Sequence, residues 1–191
     1  DLVFLIAPRI NAAGRIFSGK RAVEVLLTNN AEDAKSVAAE IEKYNQERKG
    51  LDRNIAQEAL DIIERDSFYQ DSFTTVVKKQ GWHKGVVGIV ASRLIETYYK
   101  PTIVLVEDDG ILSGSVRSIE GIDVYEMLSL CEEHLIQFGG HSMAAGLKLK
   151  SENFEAFRSA FDEVVRKFTN NIRIERCHLY DTEIQFDEIS F

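Results

Sequence analysis

Residues 137–146 read QFGGHSMAAG. Gly139 and Gly140 run into His141, and Ala144, Ala145 and Gly146 follow. Successive backbone N–H groups in a glycine-rich turn make a concave anion site, and small residues let a phosphate approach the backbone. A histidine there can donate to a phosphate oxygen or to a leaving group. The same letters also fit a glycine pair closing a helix, with the histidine on the surface. A second stretch, GSVRS at 114–118, offers the forked donors of Arg117 and the hydroxyls of Ser115 and Ser118, with Gly114 keeping the backbone approachable. Its plainer reading is an arginine closing a strand with a surface salt bridge. The third stretch is GWHKGVVGIV, 81–90. A glycine-spaced helix start can take an anion and Trp82 can stack on a base, or Trp82 packs in the core while the glycines permit close helix–sheet contact. In the fourth, PRINAAGR at 8–15, Arg9, Asn11 and Arg15 are expected on a loop after a buried strand, a usual seat for functional groups in α/β folds.

No metal site is expected within the chain. His83, His134, His141 and His178 are scattered, no His and Asp cluster at ligand spacing, and there is no Walker loop. Asp108-Asp109-Gly110 reads as a hairpin turn before it reads as a pair of metal ligands. Two cysteines give neither a disulfide framework nor zinc spacing, which favours a reducing, cytoplasmic setting. A formal charge of -8 argues against a stand-alone nucleic-acid binder with a broad basic surface, though not against a few well-placed cations. With 45% apolar and 28% charged residues the chain is globular. No apolar run is long enough to cross a bilayer, and VFLIA at 3–7 has no basic leader, so neither a membrane partner nor a signal peptide is expected.

These stretches need elements to hold them. Residues 2–7 read as a buried strand. Ser18 caps a helix over 19–28, with Ala22, Val23, Leu26 and Leu27 facing inward, and Asn30 caps a second helix. That helix, 31–66, carries a narrow apolar stripe of Val37, Ile41, Tyr44, Leu51, Ile55 and Ile62, and would span roughly 50 Å. A helix so long and so thinly apolar bridges two bodies, unless Gly50 divides it in two. Beyond it the pattern alternates. Strands are expected at 73–79, 102–107, 111–117 and 144–150, with helices at 85–99, from Asp123 to about Leu135, and from Phe154 past Val165. Residues 67–169 therefore form an α/β domain. The chain opens inside one strand-like pattern and closes inside another, IQFDEISF at 184–191, which reads as a fragment of a larger protein.

Taken along the chain, PRINAAGR, then the long helix, then GWHKGVVGIV, GSVRS and FGGHSMAAG resemble the RecJ-like single-stranded-DNA exonucleases of the DHH phosphoesterase superfamily. The resemblance covers nearly the whole chain, and its specificity lies in the ordered set. It implies an α/β fold with a DHHA1-like mixed-sheet domain at 67–169, preceded by a connecting helix at 31–66. The flanking partial domains would be the end of a DHH catalytic domain at 1–30 and the start of an OB-fold at 170–191. It implies a hydrolase cutting phosphodiester bonds of single-stranded DNA from the 5′ end, in DNA repair and recombination. Manganese or magnesium would activate water and be bound by residues absent from this chain, so this piece alone would be inactive. It places Ser115, Arg117 and Ser118 on the phosphate end of the DNA, and Gly139, Gly140 and His141 close to the reacting phosphate, His141 catalytic. Arg9, Asn11 and Arg15 line the opposite cleft wall, and Trp82 and His83 match without an assigned role. Single-stranded-DNA-binding protein and a helicase are the protein partners it suggests. Two other readings are a phosphodiesterase for short oligonucleotides or cyclic dinucleotides, and a non-catalytic scaffold of the same shape.

Overall fold

A computed structural model describes residues 2–177, 180–186 and 189. The chain begins with helices. A π-helical stretch, Leu2–Ile6, runs into α1 (Ala7–Ile16), followed by α2 (Gly19–Leu27) and α3 (Ala31–Arg65). The strand expected at 2–7 and the loop expected at 8–15 are thus both helical. Pro8 stands in the first turn of α1, where its missing N–H leaves no hydrogen bond unmade. Ala12 and Ala13 are fully buried, Ala13 in the small cluster that α1 shares with α3. Five apolar letters in a row carry no period, which is why they read equally as strand.

Ser18 and Asn30 cap α2 and α3 as expected, accepting from the N–H groups of Lys20 and Glu32. On α2 only Ala22 is buried and Val25 partly so; Val23, Leu26 and Leu27 are exposed, contrary to the inward placement expected of them. The side meeting α1 and α3 is set by Ala22 and Val25, one turn apart. Helix α3 runs unbroken through Gly50 for 35 residues. Its N-terminal third packs Ile41 against the α1–α2 pair, and its C-terminal third packs Ile55, Ala56, Ala59 and Ile63 against the sheet domain. Between them its buried face is polar, with Asn45 and Asp52.

A short helix α4 (Phe68–Asp71) leads into the sheet domain. There follow β1 (Thr75–Gln80), α5 (Val87–Tyr98), β2 (Thr102–Asp108), β3 (Ile111–Arg117), α6 (Val124–Ser129), β4 (Gln137–His141), β5 (Ala144–Lys150) and α7 (Phe154–Phe168). The strand order is β1-β2-β3-β5-β4, parallel between β1 and β2 and antiparallel elsewhere. Asp109 and Gly110 close the β2–β3 hairpin, both with positive φ. Asp123 caps α6, but that helix stops at Ser129, short of the expected Leu135. A 3-10 turn at Glu132–His134 and the bond from Ile136 N to Lys148 O draw the chain into β4.

Period-2 alternation divides the sheet. One face presents Val76, Ile103, Leu105, Leu112, Val116, Ala145, Leu147 and Leu149 to α6 and α7, whose Met127, Leu128, Phe157, Phe161 and Val165 complete a continuous core. The other presents Val77, Val104 and Val106 to α5 and α3. Beyond β2 that second face carries polar and small residues, and α5 covers only its near side. Asp162 ties α7 to the start of β1, its Oδ1 accepting from Phe73 N, Thr74 N and Thr74 Oγ1. The described residues of 170–186 form no strand, and the last part of the alternating stretch at 184–191, like His178, lies outside the described residues.

Candidate functional site

The half-open face forms a groove of about 450 Å³, lined by Lys84 and Val87 on one side and by Ser113, Ser115, Gly139, Gly146 and Lys148 along its floor. The register aligns that floor. Gly139 pairs with Gly146, which pairs with Ser115; His141 pairs with Ala144, which pairs with Arg117. Directly paired residues project to one side, so His141 and Arg117 stand on the groove face two strands apart, roughly 10 Å.

The wall is the turn before α5 and the helix's first residues. Gly85 lies so close to the N-terminal helices that a Cβ there would sit 2.1 Å from the carbonyl oxygen of Arg15. Arg15 Nη1 donates to Gly85 O at 3.3 Å, and His83 Nδ1 accepts from Gly85 N at 3.1 Å, fixing the turn. One turn further on, a Cβ at Gly88 would meet Arg117 Nη2 at 2.8 Å and Ser115 Oγ at 3.2 Å. The two glycines therefore let Arg15, Arg117 and Ser115 converge on the start of α5. Arg117 is half-buried and donates to Val116 O at 2.7 Å. Burial, with the charge of Arg15 added to it, pulls its guanidinium below the ordinary value without discharging it. Among the described residues neither arginine makes an ion pair. Two adjacent cations with no carboxylate between them form a place for an anion.

The glycines at the edge have different causes. Gly140 has φ +152, and a Cβ there would lie 2.4 Å from Ala144 O and 2.5 Å from Ala145 Cα, so only glycine fits. A Cβ at Gly139 would touch nothing within 4 Å. The fold does not need glycine at 139, which lies on the floor of the groove. The GGH stretch is thus an edge strand, not the turn or helix cap that its letters suggest. His141 is exposed, and its Nδ1 accepts from Met143 N at 3.3 Å, so that Nε2 is the nitrogen left to donate.

Other expected residues are placed apart from this cluster. Ser118 is buried and its hydroxyl donates to Ile122 O at 2.6 Å, which braces the chain leaving β3. Arg9 is held by Glu42 of α3 at 2.5 Å. Asn11 is exposed and shares a face of α1 with Arg15, one turn away. Trp82 is 5% exposed and donates its indole N–H to Glu58 of α3 at 2.7 Å, so it packs and does not stack on a ligand. Sequence reasoning missed Ser113, Lys148 and the edge strand itself. The signal for the first two was the alternation of ILSGSVR and AAGLKLK, whose polar side chains all fall on the groove face.

The five-stranded mixed sheet with helices on both faces defines an α/β domain, and the DHHA1 domain model matches residues 70–167; the chain belongs to that family. It is 44% identical over 163 residues to the single-stranded-DNA-specific exonuclease RecJ of Bacillus subtilis, covering 84% of this chain and 20% of that protein. It is 37% identical over 175 residues to the RecJ of Escherichia coli, covering 88% of this chain and 30% of that protein. The crystal structure of RecJ from Thermus thermophilus in complex with Mg2+ superposes with a TM-score of 0.79 at 31% identity, over 90% of this chain and 26% of that one. The chain spans between a fifth and about a third of the length of the curated relatives it matches. That Thermus protein has also been solved with Mn2+. Here, among the described residues, no three or more His, Cys, Asp or Glu gather as metal ligands, so these residues do not fit a divalent ion. Nor is any described helix long and apolar enough to cross a membrane.

Proposed function

We propose that the groove holds the sugar–phosphate backbone of single-stranded DNA, and that this chain is the substrate-holding part of a RecJ-like exonuclease. The observation that carries the reading is the convergence of Arg15 and Arg117 on the start of α5, beside Ser115, which itself lines the glycine-floored groove. Arg117 supplies a fork to a terminal phosphate and Ser115 a hydroxyl donor. His141, two strands away, donates from Nε2 to the phosphate undergoing hydrolysis or to the oxygen that leaves it. These groups stabilise developing negative charge, while any divalent ion is held by residues outside this chain. A groove that runs out at the edge strand β4 suits a continuing strand better than a short oligonucleotide or a cyclic dinucleotide. On this reading residues 1–30 close a DHH domain, 31–66 connect it, 67–169 bind substrate and 170–191 begin an OB-fold. The likeness to RecJ extends the proposal to digestion from the 5′ end in repair and recombination, in the cytoplasm, alongside single-stranded-DNA-binding protein and a helicase.

The test is fluorescence anisotropy of the full-length polypeptide with short single-stranded oligonucleotides, with and without a 5′ phosphate, at two salt concentrations. Arg117→Ala should weaken binding about tenfold, remove the preference for the phosphorylated end and lower the salt dependence by about one counterion. His141→Ala should leave binding unchanged and lower turnover by about 100-fold. Binding indifferent to Arg117 and turnover indifferent to His141 would overturn the reading.

A further inference from the structure

The wall of the groove has a back as well as a front. Its front, from Lys84 to Gly88, meets Arg15, Arg117 and Ser115. Its back is gripped by α3 through two carboxylates. Glu58 Oε2 accepts from Trp82 Nε1 at 2.7 Å and pairs with Lys79 at 3.0 Å, just before the wall begins. Asp52 Oδ2 accepts from Arg93 Nη2 at 2.7 Å, five residues beyond Gly88 on α5.

Asp52 is the unusual member. It is 5% exposed, and its second oxygen, Oδ1, is buried with no hydrogen-bond partner among the described residues. It lines a recess with Gln46, Lys49, Arg53 and Arg93, at the margin of an apolar seam in which Leu51, Ile55 and Ala56 of α3 cluster with Val87, Val90, Ala91 and Leu94 of α5. Apolar packing alone tolerates sliding of one helix along another, whereas a charge-assisted hydrogen bond has one geometry. Arg93 is itself half-exposed, so the pair contributes more to direction than to burial.

We propose that Asp52 is a positioning residue: through Arg93 it fixes α5 lengthwise on α3, and so sets the distance of Gly85 and Gly88 from Arg15 and Arg117. The tolerance is small, because both glycines already stand at contact distance from these partners. The inference rests on the groove being the DNA site, and goes beyond it in assigning the alignment of that site to a residue of the connecting helix.

The test uses the full-length polypeptide with Asp52→Asn, Arg93→Gln and both together. Asp52→Asn should raise KM for a 5′-phosphorylated single-stranded oligonucleotide about tenfold with kcat within about twofold. Arg93→Gln should do the same, and the double variant should be no worse than either single. Asp52→Glu should recover part of the loss. Hydrogen exchange without DNA should show faster exchange at the amides of 85–90 and unchanged exchange in β2 and β5. Arg93 is half-exposed, so its variant serves if Asp52→Asn does not fold. A lowered melting temperature with unchanged KM, additive effects in the double variant, or unchanged exchange at 85–90 would overturn the proposal. A wild-type protein inert toward single-stranded DNA would instead sink the functional reading, and the exchange comparison would still decide whether Asp52 aligns the wall.

Discussion

The two faces of β3 and β5 are made by the same strands and do opposite things. Toward α6 and α7 they present Leu112, Val116, Ala145, Leu147 and Leu149, all buried. Toward the groove they present Ser113, Ser115, Arg117, Gly146 and Lys148, all left at least partly open. A strand has period two, so one sequence can write a core on odd positions and a ligand surface on even ones, or the reverse, without either constraining the other. The packed face supports the shape, and the open face can vary its chemistry at little cost in stability.

That separation can be broken from either side. The largest effect should come from the packed face. Phe157 of α7 is fully buried, and Phe157→Ala should lose about 3–5 kcal/mol in urea unfolding, with the affinity of the folded fraction for oligonucleotide unchanged. A loss of affinity as large as the loss of stability would mean that the faces are coupled. The edge strand sharpens the comparison within two neighbouring residues. Gly140→Ala should cost about 1–3 kcal/mol, since its Cβ has nowhere to go, while Gly139→Ala should change stability by less than about 0.5 kcal/mol. If the groove floor is the reason for Gly139, the larger Gly139→Val should weaken oligonucleotide binding with stability still near wild type. The smallest effect belongs to the covered half of the groove face. The indole N–H of Trp82, helped by Lys79, holds the Glu58 carboxyl below its usual range. A depressed carboxyl contributes stability above the ordinary glutamate value and loses it as pH falls through the folded one. Melting temperatures of wild type and Glu58→Gln, measured from about pH 6 to about pH 3, should therefore converge at the acid end. Curves that stay parallel would show that the contact is not electrostatic.

Much of this architecture was legible because local signals agreed. The caps at Ser18, Asn30 and Asp123, the hairpin at Asp109-Gly110 and the alternation of β3 and β5 each state their structure within a few residues. What was hidden depends on partners distant in sequence. PRINAAGR is a helix because Ala13 fits against α2 and α3 beside Ala22 and Ile41, and QFGGH is a strand because Gly139 and Gly140 fit beside Gly146 and Ala145. Neither preference exists in the isolated segment. At the site, Arg117 and Ser115 were readable as phosphate donors from their types, whereas Ser118, identical in type to Ser115, was separated from it only by the direction in which its hydroxyl points. The role of Asp52 left no local trace, since an aspartate on a polar helix looks like a solvated one.

The groove strands also have a history in time. Four of the five strands belong to two hairpins, β2–β3 turning at Asp109-Gly110 and β4–β5 turning at Ser142-Met143. Hairpins of this size close in microseconds, before pairings between distant segments. The parallel register of β1 with β2 and the docking of α3 and α7 join parts of the chain far apart, and close larger loops. The glycine floor and the strand carrying Arg117 should therefore exist, as two half-grooves awaiting their wall, earlier in folding than the long helix that sets their spacing.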